Sequence, residues 1–215
     1  MGGINNYEPN EFLLGRSSRG REVLSWQKTK YTALTRWVVI ITAFLASALT
    51  GCNLERSSFA QVLVTEEEAW QALQSALTQL NKPYKLGGQS PIEGFDCSGL
   101  IVWAYQQAIP DVHFKIGNQV SSDASIEDLY RWNVELIPPK SLIPGDIVFL
   151  ANKSGQISHG GLFIEWIKDT LRFVNASSYW GKVVIDEWPL NGEKREQRFA
   201  GGGRLKIVMK IFPAR

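Results

Sequence analysis

The stretch Gly94-Phe95-Asp96-Cys97-Ser98-Gly99-Leu100 constrains this chain more than any other, because it sets a thiol at the mouth of a helix. The stretch opens the apolar run Leu100-Ile101-Val102-Trp103-Ala104-Tyr105, and Pro110 bounds that run. Asp96 is a good N-cap, since its carboxylate can accept a hydrogen bond from an orphan amide of the first turn. Cys97 then takes the first helical position, where free amides and the positive end of the macrodipole favour a thiolate. An unperturbed thiol titrates near pH ~8.5, and a helix N-terminus lowers that into a reactive range. The alternative is a buried structural Cys, because free Cys packs like a small hydrophobe.

A nucleophilic Cys needs a base, and the base needs a group to orient it. The chain has two His. His113 lies in an irregular region after Pro110, whereas His159 begins a predicted strand over about 159–166. Lys168-Asp169 reads as a turn, and the chain returns over about 171–176, so His159 and Asn175 fall at the same end of neighbouring strands. Asn175 could hold one ring nitrogen and leave the other facing Cys97, a Cys-His-Asn arrangement. A lone His on a strand is otherwise structural more often than catalytic.

The remaining elements follow from local signals. Residues 53–64 read as a tether. Thr65 and Glu68 form a capping box for a helix over about 65–80, with Trp70, Leu73, Leu77 and Leu80 at helical spacing. Asn81-Lys82-Pro83 stops it, and Tyr84–Gly94 is a Gly/Pro-rich loop. A short helix is predicted over 125–131. After the Pro144-Gly145-Asp146 turn come strands at 147–150, at the two arms of the hairpin, at 183–185 and at 205–212, read as a meander. Helices first and strands second predict an α+β fold with segregated elements. Gly145 serves the turn and Asp146 caps it; Gly201-Gly202-Gly203 reads as a linker, and the run Glu193–Arg198 as a solvated face. Most of the eight Trp are expected in the core.

Two Cys are present, and the second context explains Cys52. A basic flank (Lys28, Lys30, Arg36) precedes 13 uncharged residues, Trp37–Leu49. That is short for a membrane span, which needs ~20 residues, and it suits the apolar segment of a signal peptide. Leu49-Thr50-Gly51-Cys52 resembles a bacterial lipobox, in which the Cys is acylated and becomes the new N-terminus. The expected organisation is therefore a leader over 1–51, an acylated Cys52 with its tether over 52–64, and one domain over 65–215. An uncleaved membrane anchor is the alternative. The long basic region suggests a natural start downstream of Met1. Lipidation would leave Cys97 as the only free thiol of an exported chain, and such a chain seldom keeps one without a use. Asn53 after the acylated Cys leans towards the outer membrane, with the protein on its periplasmic face in a Gram-negative host. Residues 1–51 hold six Lys/Arg against three Asp/Glu, leaving 17 against 18 in the rest. A near-neutral body gives no footprint for nucleic acid. One Cys and two scattered His do not make a zinc set, and no cofactor is expected.

Pro83-Tyr84, Gly87-Gly88, Gly94–Leu100, Pro144-Gly145-Asp146-Ile147-Val148-Phe149 and Ser158-His159 with Gly161 together resemble the NlpC family of cell-wall peptidases, over roughly residues 66–212. The resemblance implies a papain-like fold, with the catalytic Cys at a helix N-terminus packed on an antiparallel sheet of about five or six strands. It implies a peptidase that cuts peptidoglycan stem peptides, typically between D-glutamate and a diamino acid. Carried over by motif, Cys97 is the nucleophile and His159 the general base and acid. The third polar position, often His in this family, falls on Asn175. Tyr84 matches a Tyr that helps stabilise the oxyanion, while Asp96 and Ser98 match residues that hold the free amine of the stem peptide. Partners implied are the stem peptides, a membrane through the anchor, and a regulatory or targeting protein, since no separate wall-binding domain is visible. Two other readings remain: an N-acyl amidase or acyltransferase with the same site, or a catalytically silent wall-binding lipoprotein.

Overall fold

The computed structural model describes residues 59–210. The leader, Cys52 and the tether as far as residue 58 lie outside the described residues.

Thr65 caps helix α1 (Glu66–Leu77) through the predicted capping box. Its hydroxyl accepts from the Glu68 amide at 3.2 Å, and the Glu68 carboxylate accepts from the Thr65 amide at 2.7 Å. A cap of this kind contributes about 1 kcal/mol. The buried face differs from the expected one. Ala69, Ala72, Leu73 and Ala76 are buried, while Trp70 and Leu80 remain 47% and 37% exposed. Small side chains let α1 lie close against helix α2 (Cys97–Ala108). Helix α3 (Ile126–Trp132) is capped by Ser125.

The strands in chain order are β1 (Phe59–Leu63), β2 (Gln89–Ser90), β3 (Gly94–Phe95), β4 (Phe114–Ile116), β5 (Gln119–Ser121), β6 (Val134–Ile137), β7 (Ile147–Asn152), β8 (Ile157–Ile167), β9 (Thr170–Ser177), β10 (Lys182–Pro189) and β11 (Gln197–Lys210). Strands β7 to β10 form the expected antiparallel meander. Strand β11 does not continue it; it returns to the free edge of β7. The main sheet has the order β1-β11-β7-β8-β9-β10, with β6 also paired to β11, so it has seven strands rather than five or six. Part of the expected tether is sheet, because Phe59 to Leu63 pair with Lys210 to Lys206.

The three consecutive glycines are strand rather than linker. Gly202 and Gly203 pair with Val148 and Ile147 on one side and with Ile137 and Leu136 on the other. A Cβ on Gly203 would stand 2.8 Å from the Glu135 carbonyl oxygen, so glycine there reflects lack of room.

The apolar run of β7 faces two ways. Ile147 and Phe149 join the main core between helices and sheet, and Val148 and Leu150 join a smaller core that includes Phe163, Phe173 and Trp188. Of the Trp among the described residues only Trp188 is fully buried, against the expectation of a Trp-rich core. Asp146 does more than cap its turn. Fully buried, it accepts from the Ile143 amide at 2.8 Å and from Arg204 Nε at 2.8 Å, tying the turn to β11.

Candidate active site

Asp96 is the N-cap of α2, as its sequence context predicts. Its Oδ1 accepts from the Gly99 amide at 2.7 Å and from the Ser98 hydroxyl at 3.1 Å, and its Oδ2 accepts from the Gly87 amide at 2.8 Å. One carboxylate therefore closes both the helix mouth and the loop before it. Cys97 follows at the first helical position, partly exposed.

Strand β8 carries His159, the candidate base. Leu162 pairs with Val174, and continuing that register sets Asn175 opposite Gly161, diagonal to His159. Diagonal neighbours on one face of a sheet are within side-chain reach. The His159 Nε2 lies 3.0 Å from the Asn175 Oδ1. An amide oxygen only accepts, so this partner assigns the proton to Nε2 and leaves Nδ1 as the basic nitrogen. Asn175 is 1% exposed, and its Nδ2 is buried without a protein partner. His113 is exposed and bonded to the Asp111 carbonyl, with no part in the cleft.

Cys97, His159 and Tyr84 line one cleft of about 450 Å³. The backbone amides of Ser98, Cys97 and Gly160 each favour the thiolate form of the sulfur. Strand β8 thus brings both His159 and the Gly160 amide to the helix mouth. Tyr84 is fixed by its backbone, which donates to Gly181 at 2.9 Å. Burial raises the Tyr84 hydroxyl above its ordinary pKa, and the neighbouring Cys97 and Asp96 add to that. Asp96 and Ser98 sit beside the nucleophile but do not line the cleft, and the carboxylate is spent on the three local donors named above.

The electrostatics depart from the expectation of a lowered thiol. Burial pushes the Cys97 thiol up to about 11, with the Asp96 carboxylate acting the same way, and the three amides pull back only in part. Burial also lowers the His159 imidazole below its ordinary value, although its bond to Asn175 favours the charged form. Both shifts favour the uncharged pair of thiol and neutral imidazole. That is a nucleophile with its base unprotonated, competent for proton abstraction on attack.

The structure adds residues that the sequence reading passed over. Asp186, 7% exposed, and Arg195 line the same cleft and pair at 2.5 Å. The run around Arg195 is therefore only partly a solvated face. The reason is topological. Strand β10 ends at Pro189 beside Thr170, whereas β11 begins at Gln197 beside Asn152. The connecting loop must cross the sheet, and it carries Arg195 into the cleft. Nothing in the local sequence signals this beyond a basic residue between two strands.

A model of the NlpC/P60 family matches residues 81–201. The gamma-DL-glutamyl hydrolase of Bacillus subtilis is 36% identical over 49% of this chain and 22% of its own length. The murein DD-endopeptidase MepH of Escherichia coli is 30% identical over 43% of this chain and 32% of its own length. The chain thus spans less than a third of the length of either relative. The solved structure of NlpC1 from Trichomonas vaginalis is 20% identical, with a TM-score of 0.48, over 68% of this chain and 47% of that one.

Proposed function

This chain belongs to the NlpC/P60 family, and on that premise we propose that it is a cysteine peptidase of the cell envelope, hydrolysing amide bonds in peptidoglycan stem peptides. The observation that carries the reading is the convergence of Cys97 and an Asn175-oriented His159 in one cleft. The named relatives, a glutamyl hydrolase and a murein endopeptidase, support the substrate class. The bond we propose is the one between D-glutamate and the diamino acid, in keeping with the glutamyl hydrolase.

The reaction is acyl transfer. His159 Nδ1 takes the Cys97 proton as the sulfur attacks the amide carbonyl. The carbonyl oxygen becomes an oxyanion held by the Cys97 amide and the Tyr84 hydroxyl, a type of contact that is often the largest catalytic contribution. The imidazolium returns its proton to the leaving amine, giving a thioester. His159 then activates water, which releases the acid and restores the thiol. Proton transfer of this kind is worth roughly 10²–10⁴ in rate.

The test is digestion of purified peptidoglycan by the detergent-solubilised full chain, read by mass spectrometry of released peptides. The Cys97→Ala and His159→Ala proteins should release none. Asn175→Ala should retain part of the activity, since it removes an orienting group and not a reacting one. Undiminished release by the Cys97→Ala protein would overturn the mechanism. We also propose that acylation at Cys52 holds the enzyme at the membrane; the support is the Leu49–Cys52 motif behind its apolar segment.

A further inference from the structure

A charged cluster stands on the wall of the cleft, with Arg195 as its one guanidinium. Asp186 is the cluster's buried carboxylate, and two cations converge on it: Arg195 Nη1 at 2.5 Å and Lys194 Nζ at 3.3 Å. The Glu187 amide at 2.9 Å and Trp180 Nε1 at 3.3 Å also donate to it. Its oxygens are fully served by these four donors. Glu196, on the same loop and also on the cleft wall, pairs with Lys153 at 2.7 Å and not with Arg195. Asp186 alone faces two cations, so the three-residue cluster of Asp186, Arg195 and Lys194 carries one more positive charge than negative.

Arg195 is built to present that charge. A guanidinium has five N–H donors in a fixed plane, and among the described residues the hydrogen bond to Asp186 is the only one Arg195 makes. The guanidinium lies 4.2 Å from the ring centroid of Tyr179 and 5.1 Å from that of Trp180, so two aromatic faces hold its plane. Its backbone lies in a turn closed by reciprocal Lys194–Gln197 hydrogen bonds at 2.8 and 3.0 Å, with Arg195 and Glu196 both at positive φ, 51° and 62°. The side chain is 23% exposed and lines the cleft that contains Cys97 and His159. Arg195 and Asp186 both bear on the titration of His159, which puts the cluster within electrostatic reach of the reacting groups. A planar, preorganised guanidinium with open donors matches a carboxylate in two-pronged geometry.

We propose that Arg195 is a specificity subsite that binds a free carboxylate of the peptide substrate, so that the enzyme distinguishes stem peptides with a free carboxylate from the same peptides amidated there. Asp186 and the two aromatic rings position it. This inference rests on the peptidase reading above.

The experiment compares synthetic stem peptides in matched pairs. One pair carries the D-glutamate α-carboxylate free or as its primary amide, and the second does the same at the diamino acid. In one of these pairs the wild-type full chain should show kcat/KM lower for the amide by roughly tenfold to a hundredfold, the range of a hydrogen bond between charged groups. Arg195→Gln should lose a similar factor on the free acid and leave the amide nearly unchanged, collapsing the ratio, with the change mainly in KM. Arg195→Lys should keep part of the preference. The ratio within one protein does not depend on how much of it folds, so a destabilised variant still reads out. Wild-type rates equal within both pairs would overturn the role of Arg195 alone, as would an Arg195→Gln loss equal on acid and amide, or discrimination that survives the substitution. Cleavage of none of the four peptides by the wild type would overturn the peptidase reading and this inference with it.

Discussion

The thiol of Cys97 shows how two residue-level forces are ranked. A helix N-terminus favours the thiolate by an amount typical of exposed macrodipole effects, roughly 0.3–1 kcal/mol. Burial and the adjacent Asp96 outweigh it here and push the thiol up to about 11. The nucleophile therefore depends on a base that is free at working pH, and His159 meets that need because burial lowers its pKa below the ordinary 6.5. The active form is the unprotonated imidazole, so kcat/KM should be full above about pH 6.5 and fall as pH drops through the lowered value. The bond to Asn175 favours the imidazolium. Removing it in Asn175→Ala should shift the acid limb to still lower pH even as the maximal rate declines. A pH profile of both proteins checks this, and a limb that moves upward or not at all would count against the assignment of Asn175 as the partner of Nε2.

Among the elements, the helix mouth depends on a backbone contact that only glycine permits. A Cβ on Gly99 would stand 2.1 Å from the Gly88 carbonyl oxygen. Backbone cannot swing aside as a side-chain tip can, so the loop over 85–88 would have to move. That loop carries the Gly87 amide bonded to Asp96 and adjoins Tyr84. Gly99→Ala should cost about 1–3 kcal/mol by overpacking and should reduce activity beyond the loss of folded protein. Denaturant unfolding together with kcat per folded molecule measures the two effects separately. That contact accounts for Gly99, whereas Gly88 is confined by the Gly94 carbonyl, 2.5 Å from where its Cβ would stand, and Gly87 sits at positive φ.

For the molecule as a whole, the open matter is attachment. Among the described residues no helix is long and apolar enough to cross a membrane. If Cys52 is acylated, several chains are needed for stable anchoring, since one alone binds only marginally. Wild-type protein expressed in cells should then be labelled by radioactive palmitate and sediment with membranes, and Cys52→Ser should do neither. Labelling of the Cys52→Ser protein would remove the anchor proposal without touching the catalytic one. The residues named at the Cys97 site all lie among the described residues.

Cys97, His159 and Asn175, proposed here as nucleophile, base and orienting amide, were all legible in the sequence, and the structure brings them to one site. Each rests on short-range chemistry: an Asp cap one residue before Cys97, and a hairpin whose turn aligns His159 with Asn175. The sequence also showed the capping box at Thr65 and the strands of the meander, because caps and turns are decided within a few residues. It did not show that β11 returns to β7, that the glycines at 201–203 are strand, or that Arg195 enters the cleft. Those depend on which edge of a sheet remains free and on what stands beside it, and no local period encodes that. The tertiary structure alone decided the state of the thiol as well. Charge at a helix mouth is a local property, whereas burial is the sum of every chain segment folded over the site, and at Cys97 burial prevails.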